Sequence, residues 1–237
     1  MNRLFIIIFF ILPIVFIIGC EEDVLEKPAS VDLQINMSKM DSTEKTLSIG
    51  RNHLQIDSGK MTVSSIVFDG TRENAENYYF SKTFQNGLIA YLGKNELSKN
   101  VTFDIPQGTY HPAKIKLHLN PIDSIDALLL HGSYNHPVFE KTEVEFSFFE
   151  TEEPIELTIQ NINERKKVVF NKGKTKTLEI QLNLSMVFSL FNPKRLENAN
   201  IIEEDNKRKI IISHKHNEEL YYDLVDRIEK STKAILK

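Results

Sequence analysis

Glu143-Val144-Glu145-Phe146-Ser147-Phe148 decides the fold class. Successive side chains of an extended chain point to opposite faces, so Val144, Phe146 and Phe148 share one side and Glu143, Glu145 and Ser147 the other. That alternation marks a strand with one buried face. Lys114-Ile115-Lys116-Leu117-His118-Leu119 repeats the pattern and predicts His118 on the solvent side.

Outward from these two stretches, the same period recurs at short spacing. It predicts strands over 30–37, 52–56, 61–68, 78–84, 88–92, 101–105, 110–119, 127–134, 143–149, 155–159, 167–170 and 178–184. Asp57-Ser58-Gly59, Asp69-Gly70, Asn86-Gly87 and Asn171-Lys172-Gly173 are hairpin-turn signals, since Gly and Asn tolerate positive φ. Many short strands with turn residues between them predict a mainly β chain, an antiparallel β-sandwich of transthyretin-like or Ig-like kind over 30–185.

Past residue 185 the period changes, which predicts a C-terminal α/β segment over 186–237. An apolar cluster ended by Asn192-Pro193 suits a short helix or crossing, and 209–212 reads as a strand. From 217 to 236, Leu220, Tyr221, Leu224, Val225, Ile228 and Ile235 lay an apolar stripe along an amphipathic helix. Asn217 is its expected N-cap, Glu218 and Glu219 suit its first turn, and Lys230, Lys233 and Lys237 suit its end.

The N-terminus carries an address. Met1-Asn2-Arg3 precedes an apolar run from Leu4 to Ile18, then Gly19 and Cys20. A membrane span needs roughly 20 apolar residues, and this run is shorter, with Pro13 inside it. It reads as a secretory signal peptide over 1–19. Ile17-Ile18-Gly19-Cys20 resembles a lipobox, the motif of bacterial lipoproteins, with Ile18 where a small residue is usual. The resemblance implies cleavage between Gly19 and Cys20 and diacylglycerol and palmitate chains on Cys20, the chain's single cysteine. Residues 20–29 then form an acidic tether. Its Glu21, Glu22 and Asp23 resemble the surface-export signal of Bacteroidota lipoproteins, implying an outer-membrane anchor with the domain at the cell surface; a periplasm-facing domain is the alternative.

Composition bounds the function. The 237 residues, less the 19 of the signal, leave 218, and loss of Arg3 moves the formal charge from -4 to -5. A mildly acidic chain argues against nucleic acid, which needs a basic footprint. The clusters Arg165-Lys166-Lys167 and Lys207-Arg208-Lys209 have acids beside them and read as solvated turns. With Cys20 lipidated there is no disulfide or thiolate chemistry, and tryptophan is absent, which weakens a glycan-stacking role.

Phe103-Asp104-Ile105-Pro106-Gln107-Gly108-Thr109-Tyr110 sets a Pro-Gly turn between two strands. With Ile66-Val67-Phe68-Asp69-Gly70 and Leu129-Leu130-His131-Gly132-Ser133-Tyr134, it resembles β-sandwich lipoproteins of Bacteroidota of the DUF4382 type over roughly 30–185. That resemblance implies a sandwich fold and carries no catalytic or ligand residues.

Candidate chemistry is sparse. His214 and His216, with Glu218 and Glu219, are the densest set of metal-type ligands, but a structural site wants three or four converging groups. His131 and His136 flank Gly132-Ser133-Tyr134-Asn135, yet no G-x-S-x-G elbow exists to make a hydrolase nucleophile. Asp123, Asp126 and Glu140 are carboxylates of unknown separation. No catalytic residue, resident metal or cofactor is expected. The reading is a membrane-anchored lipoprotein with a non-catalytic binding or scaffolding role, in adhesion or as an accessory subunit of an envelope complex. The alternatives are a surface glycan hydrolase using Asp123 or Asp126, and a small-ligand or metal carrier using His214 and His216.

Overall fold

The computed structural model describes residues 27–38, 54–94, 97–119, 126–148, 154–162, 167–189, 191–204 and 207–237. In chain order these form β1 (Ala29–Ser38), β2 (Leu54–Arg72), β3 (Tyr78–Tyr91), β4 (Thr102–Ile105), β5 (Gly108–His118), β6 (Leu128–His136), β7 (Glu140–Phe148), β8 (Ile155–Asn161), β9 (Val168–Phe170) and β10 (Thr175–Asn183). After them come helix α1 (Leu184–Phe188), a 3₁₀ turn (Pro193–Asn198), β11 (Ile201–Glu204), β12 (Lys207–Ile212), helix α2 (Glu218–Lys230) and β13 (Thr232–Leu236). The chain is mainly β.

The strands join in the order β11-β12-β7-β6-β2-β5-β8-β13-β10-β1-β4, with β3 also on β2 and β9 on β5. The sheet curls back on itself. Met37 of β1 bridges Leu92 just past β3, and Gly93 N donates to Met37 O at 3.0 Å. The far strand β4 reaches β3 through side chains: Tyr78 Oη donates to Asp104 O, Lys82 Nζ donates to Thr102 O, and the Phe80 and Phe103 rings lie 4.7 Å apart. Inside the curl, alternate residues of nearly every strand form one apolar core, including Leu33, Ile66, Ile115, Phe146 and Ile180. Each such side chain contributes roughly 1.5–3 kcal/mol on burial.

Three expectations are corrected. The sheet is mixed and not purely antiparallel, because β1–β10, β7–β12 and β8–β13 run parallel. Parallel neighbours need long crossovers, and each of these pairs joins strands far apart in the chain. The chain between the paired strands runs through 39–174 for β1–β10, 149–206 for β7–β12 and 162–231 for β8–β13, and residues 186–237 are woven into the sheet through β11, β12 and β13.

Second, Asp57-Ser58-Gly59 and Asp69-Gly70 lie inside β2 and Asn86-Gly87 inside β3, so they are not hairpin turns. The pairing instead slips at Ile56/Ser58, Val63/Ser65 and Gly70/Arg72, where bulges absorb extra residues. Gly70 is there for space: a Cβ would stand 2.5 Å from the Tyr110 ring and 2.8 Å from Phe68. The Asn171-Lys172-Gly173 turn forms as expected, with Gly173 at φ 59°.

Third, the terminal helix stops at Lys230. Thr232, Ala234 and Leu236 alternate buried against exposed or half-buried Lys233 and Ile235, and β13 pairs with β8 and β10. Asn217 precedes α2 but makes no side-chain cap; its amide bonds Asn200 N and O and Ile211 O.

These pairings give the sheet two poles. β2 begins opposite Tyr134, beside the β6–β7 hairpin, and ends with Arg72 opposite Tyr110, beside the start of β5. Its 18 residue steps at about 3.3 Å set an upper separation of about 60 Å. At the second pole lie the start of β1, the β9–β10 turn, the end of β4 and the C-terminus, since Ala29 pairs with Ile105, Ser30 with Thr175, and Lys237 N donates to Thr177 O.

Candidate functional site

The hairpin pole carries the most exposed large hydrophobic side chain of the described residues. β6 and β7 are joined by Pro137-Val138-Phe139, with His136 opposite Glu140. Glu140 closes this three-residue loop in the left-handed region at φ 59°, where Gly or Asn is ordinary. Val138 is 74% exposed and Phe139 37%, whereas His136 is buried.

His136 holds the loop. Its Nδ1 accepts from Val138 N at 3.1 Å and from Phe139 N at 3.3 Å, so the neutral ring carries its proton on Nε2, 3.4 Å from Glu197 O. The imidazole lies 4.7 Å from the Phe139 ring, and the Arg208 guanidinium also stands 4.7 Å from that ring. Arg208 Nε is fixed on Glu203 at 2.8 Å. The result is an apolar tip held by His136 with a cation beside it, an arrangement that suits contact with another surface.

A second cluster lies on the outer face of β6, β7 and β12. Ser147 Oγ donates to Asp126 Oδ2 at 3.2 Å, while Glu145 receives Lys209 Nζ at 2.5 Å and faces His131 Nδ1 at 3.5 Å. Burial pushes the Asp126 carboxyl above its usual range; Glu145 adds to this, and Ser147, Lys60 and His131 oppose it. Asp126 can therefore hold a proton more readily than an ordinary aspartate. Glu145 joins β6 to β12 as a cross-strand polar ladder.

His214 and His216 sit in a tight turn closed by Ser213 N donating to His216 O and His216 N donating to Ser213 O. Both are exposed, and His214 lies 6.4 Å from the Tyr221 ring. Among the described residues no group of three His, Cys, Asp or Glu converges as a metal site. Nearby, a depression of about 510 Å³ at the start of α2 is lined by Arg195, Lys215, Glu218 and Glu219, with Arg195 paired to Asp223.

Gly19, Cys20, Glu21, Glu22, Asp23 and Asp123 lie outside the described residues. Of the two carboxylates a glycan hydrolase would use, only Asp126 is therefore placed. His118 is half-buried on the outer face, as alternation requires. Val138 and Phe139 lie between the strands that alternation predicts over 127–134 and 143–149; the signal that could have found them is two large apolar side chains directly after Pro137.

No family model matches this chain, and comparison with curated proteins and with solved structures finds no match either.

Proposed function

We propose that this chain is a lipid-anchored envelope lipoprotein, held through Cys20, whose domain binds a partner at the hairpin pole. The observation that carries the reading is Val138, left exposed by a loop that His136 fastens from below and Arg208 from the side. An apolar side chain held without freedom to collapse loses little entropy on binding. The pole lies at the far end of β2 from the residue at which the tether enters, so an anchored domain offers it away from the bilayer. Surface exposure at an outer membrane, a role in adhesion or as an accessory subunit, and kinship with the DUF4382-type lipoproteins belong to the same proposal.

We further infer that the curled sheet is a variant of the two-layer sandwich. Support comes from β8, which pairs with β5 through residues 155–158 and with β13 through 159–161, as a strand passing between layers would.

The test is a photo-crosslinking side chain at Val138, compared in intact cells with one at exposed Ser81 on β3. Adducts at 138 that vanish with Arg208→Ala and are absent at 81 are expected. No adduct at 138, or equal adducts at both positions, would refute the binding tip.

A further inference from the structure

We infer that the pole at which the chain enters the domain is a docking surface for an anionic lipid bilayer. The inference rests on the lipoprotein reading and adds which face of the domain meets the membrane.

The first support is length. Lys27 is seven residue steps from Cys20, and an extended chain spans at most about 3.5 Å per residue, so Lys27 is held within about 25 Å of the anchor. The second is charge. Gly173 N donates to Pro28 O at 3.2 Å and Ser30 N donates to Lys174 O at 3.1 Å, which lays the entering chain along the β9–β10 turn. A Cβ on Gly173 would stand 3.6 Å from Lys27 Cδ, so the Lys27 stem lies over that turn. Lys27, Lys172 and Lys174 thus leave from one place. Among the described residues none of the three has a carboxylate within ion-pairing distance, while Glu73 is taken by Lys167 and Glu179 by Lys237. Asp32, which accepts from Thr102 Oγ1, Glu76, Asp104 and the C-terminal carboxylate are the other described acids near this pole, against Arg72 and Lys176. In a chain of net charge -4, a triple-lysine corner at the anchored end stands apart.

The third support is an apolar side chain in the right place. Ile162 directly follows β8 and is 62% exposed; its neighbour Asn161 pairs with Leu236, next to the C-terminus. Lysines and an exposed aliphatic residue at one pole are the composition of an interfacial surface. Each lysine near an anionic bilayer biases the seated state roughly fivefold, so three bias it roughly a hundredfold, and salt screens the effect. The tether adds a high effective concentration.

The experiment uses the processed, acylated protein in vesicles containing a headgroup-quencher lipid. A fluorophore is placed by Ile162→Cys or Val138→Cys, the lipid on Cys20 leaving each new thiol free to react alone. Vesicles are phosphatidylcholine, or equal parts phosphatidylcholine and phosphatidylglycerol. Expected is quenching at 162 several-fold stronger on the anionic vesicles, lost in raised salt and in Lys27→Glu/Lys172→Glu/Lys174→Glu, with 138 unquenched on both. The milder triple change to Gln serves if the reversal variant does not fold. Equal quenching at 162 on both vesicles, or indifference to the lysine changes, would overturn the inference while leaving the anchor intact. The rival occupant is the tether's own acids, Glu21, Glu22, Asp23 and Glu26; if they hold the lysines, 162 stays unquenched on both vesicles, which also overturns it. Palmitate incorporation in producing cells, compared with Cys20→Ala, reads the anchor separately, and incorporation that does not depend on Cys20 would overturn the reading and the inference together.

Discussion

Tyr110 offers a prediction whose size can be worked through. Its side chain is fully buried, its Oη donates to Pro106 O at 2.8 Å, and its ring meets Phe68 and Phe170 edge-on. Burial pushes the phenol up to about 12, with Arg72 opposing and Tyr78 adding. A raised folded pKa means the fold favours the protonated form. The contribution is therefore complete below about pH 10 and lost as pH rises through about 12. Two units at 1.36 kcal/mol each make it about 2.7 kcal/mol. Tyr110→Phe keeps the ring contacts and loses one hydrogen bond, costing about 1 kcal/mol at neutral pH. The variant has no phenol to ionise, so its urea midpoint should start below the wild type and cross above it between about pH 10 and 12. Tyr221, also raised by burial, and the lysines titrate in both proteins and cancel in the difference. Midpoints by circular dichroism, read beside the phenolate absorbance, measure it. Two curves that run parallel through the alkaline range would refute the reasoning.

Three further outcomes follow from the same geometry. Gly132→Ala puts a Cβ 2.1 Å from Gln55 O, a backbone atom that cannot turn aside, and should cost about 3 kcal/mol in urea unfolding; a cost below about 1 kcal/mol would contradict the β2–β6 register. His136→Phe keeps a flat ring but removes the acceptor for Val138 and Phe139, so those two amides should exchange faster and stability fall by about 1–3 kcal/mol; unchanged exchange would count against the latch. Asp126 is raised by burial, so its ionised form costs stability once pH passes its folded pKa. Asp126→Asn should therefore be more stable than wild type at neutral pH and lose that advantage in acid, and an advantage that grows in acid would reverse the sign.

How much of this was legible depends on what each residue's pattern encodes. Alternation in β1, β5 and β7 records one buried and one wet face, and that is a local property. The merging of 52–56 with 61–68 was hidden because a bulge uses the same Gly-containing dipeptides as a turn, and only the partner strand decides between them. The end of α2 was hidden because Ile228 and Ile235 also fit a helical stripe across the boundary at Ser231. Parallel pairings such as β1 with β10 depend on crossovers that no local pattern records. The proposed lipidation motif, Leu4 to Cys20, rests on sequence alone, because it lies outside the described residues. The hairpin tip was not, because the role of His136 comes from where its Nδ1 meets two backbone amides, a matter of loop geometry and not of residue type.

The most direct test of the account is the intact mass of the protein extracted from membranes with detergent. It predicts a chain that has lost residues 1–19 and begins at a Cys20 carrying diacylglycerol and acyl mass. A chain retaining Met1, or one with an unmodified Cys20, would contradict the anchored domain on which both poles depend.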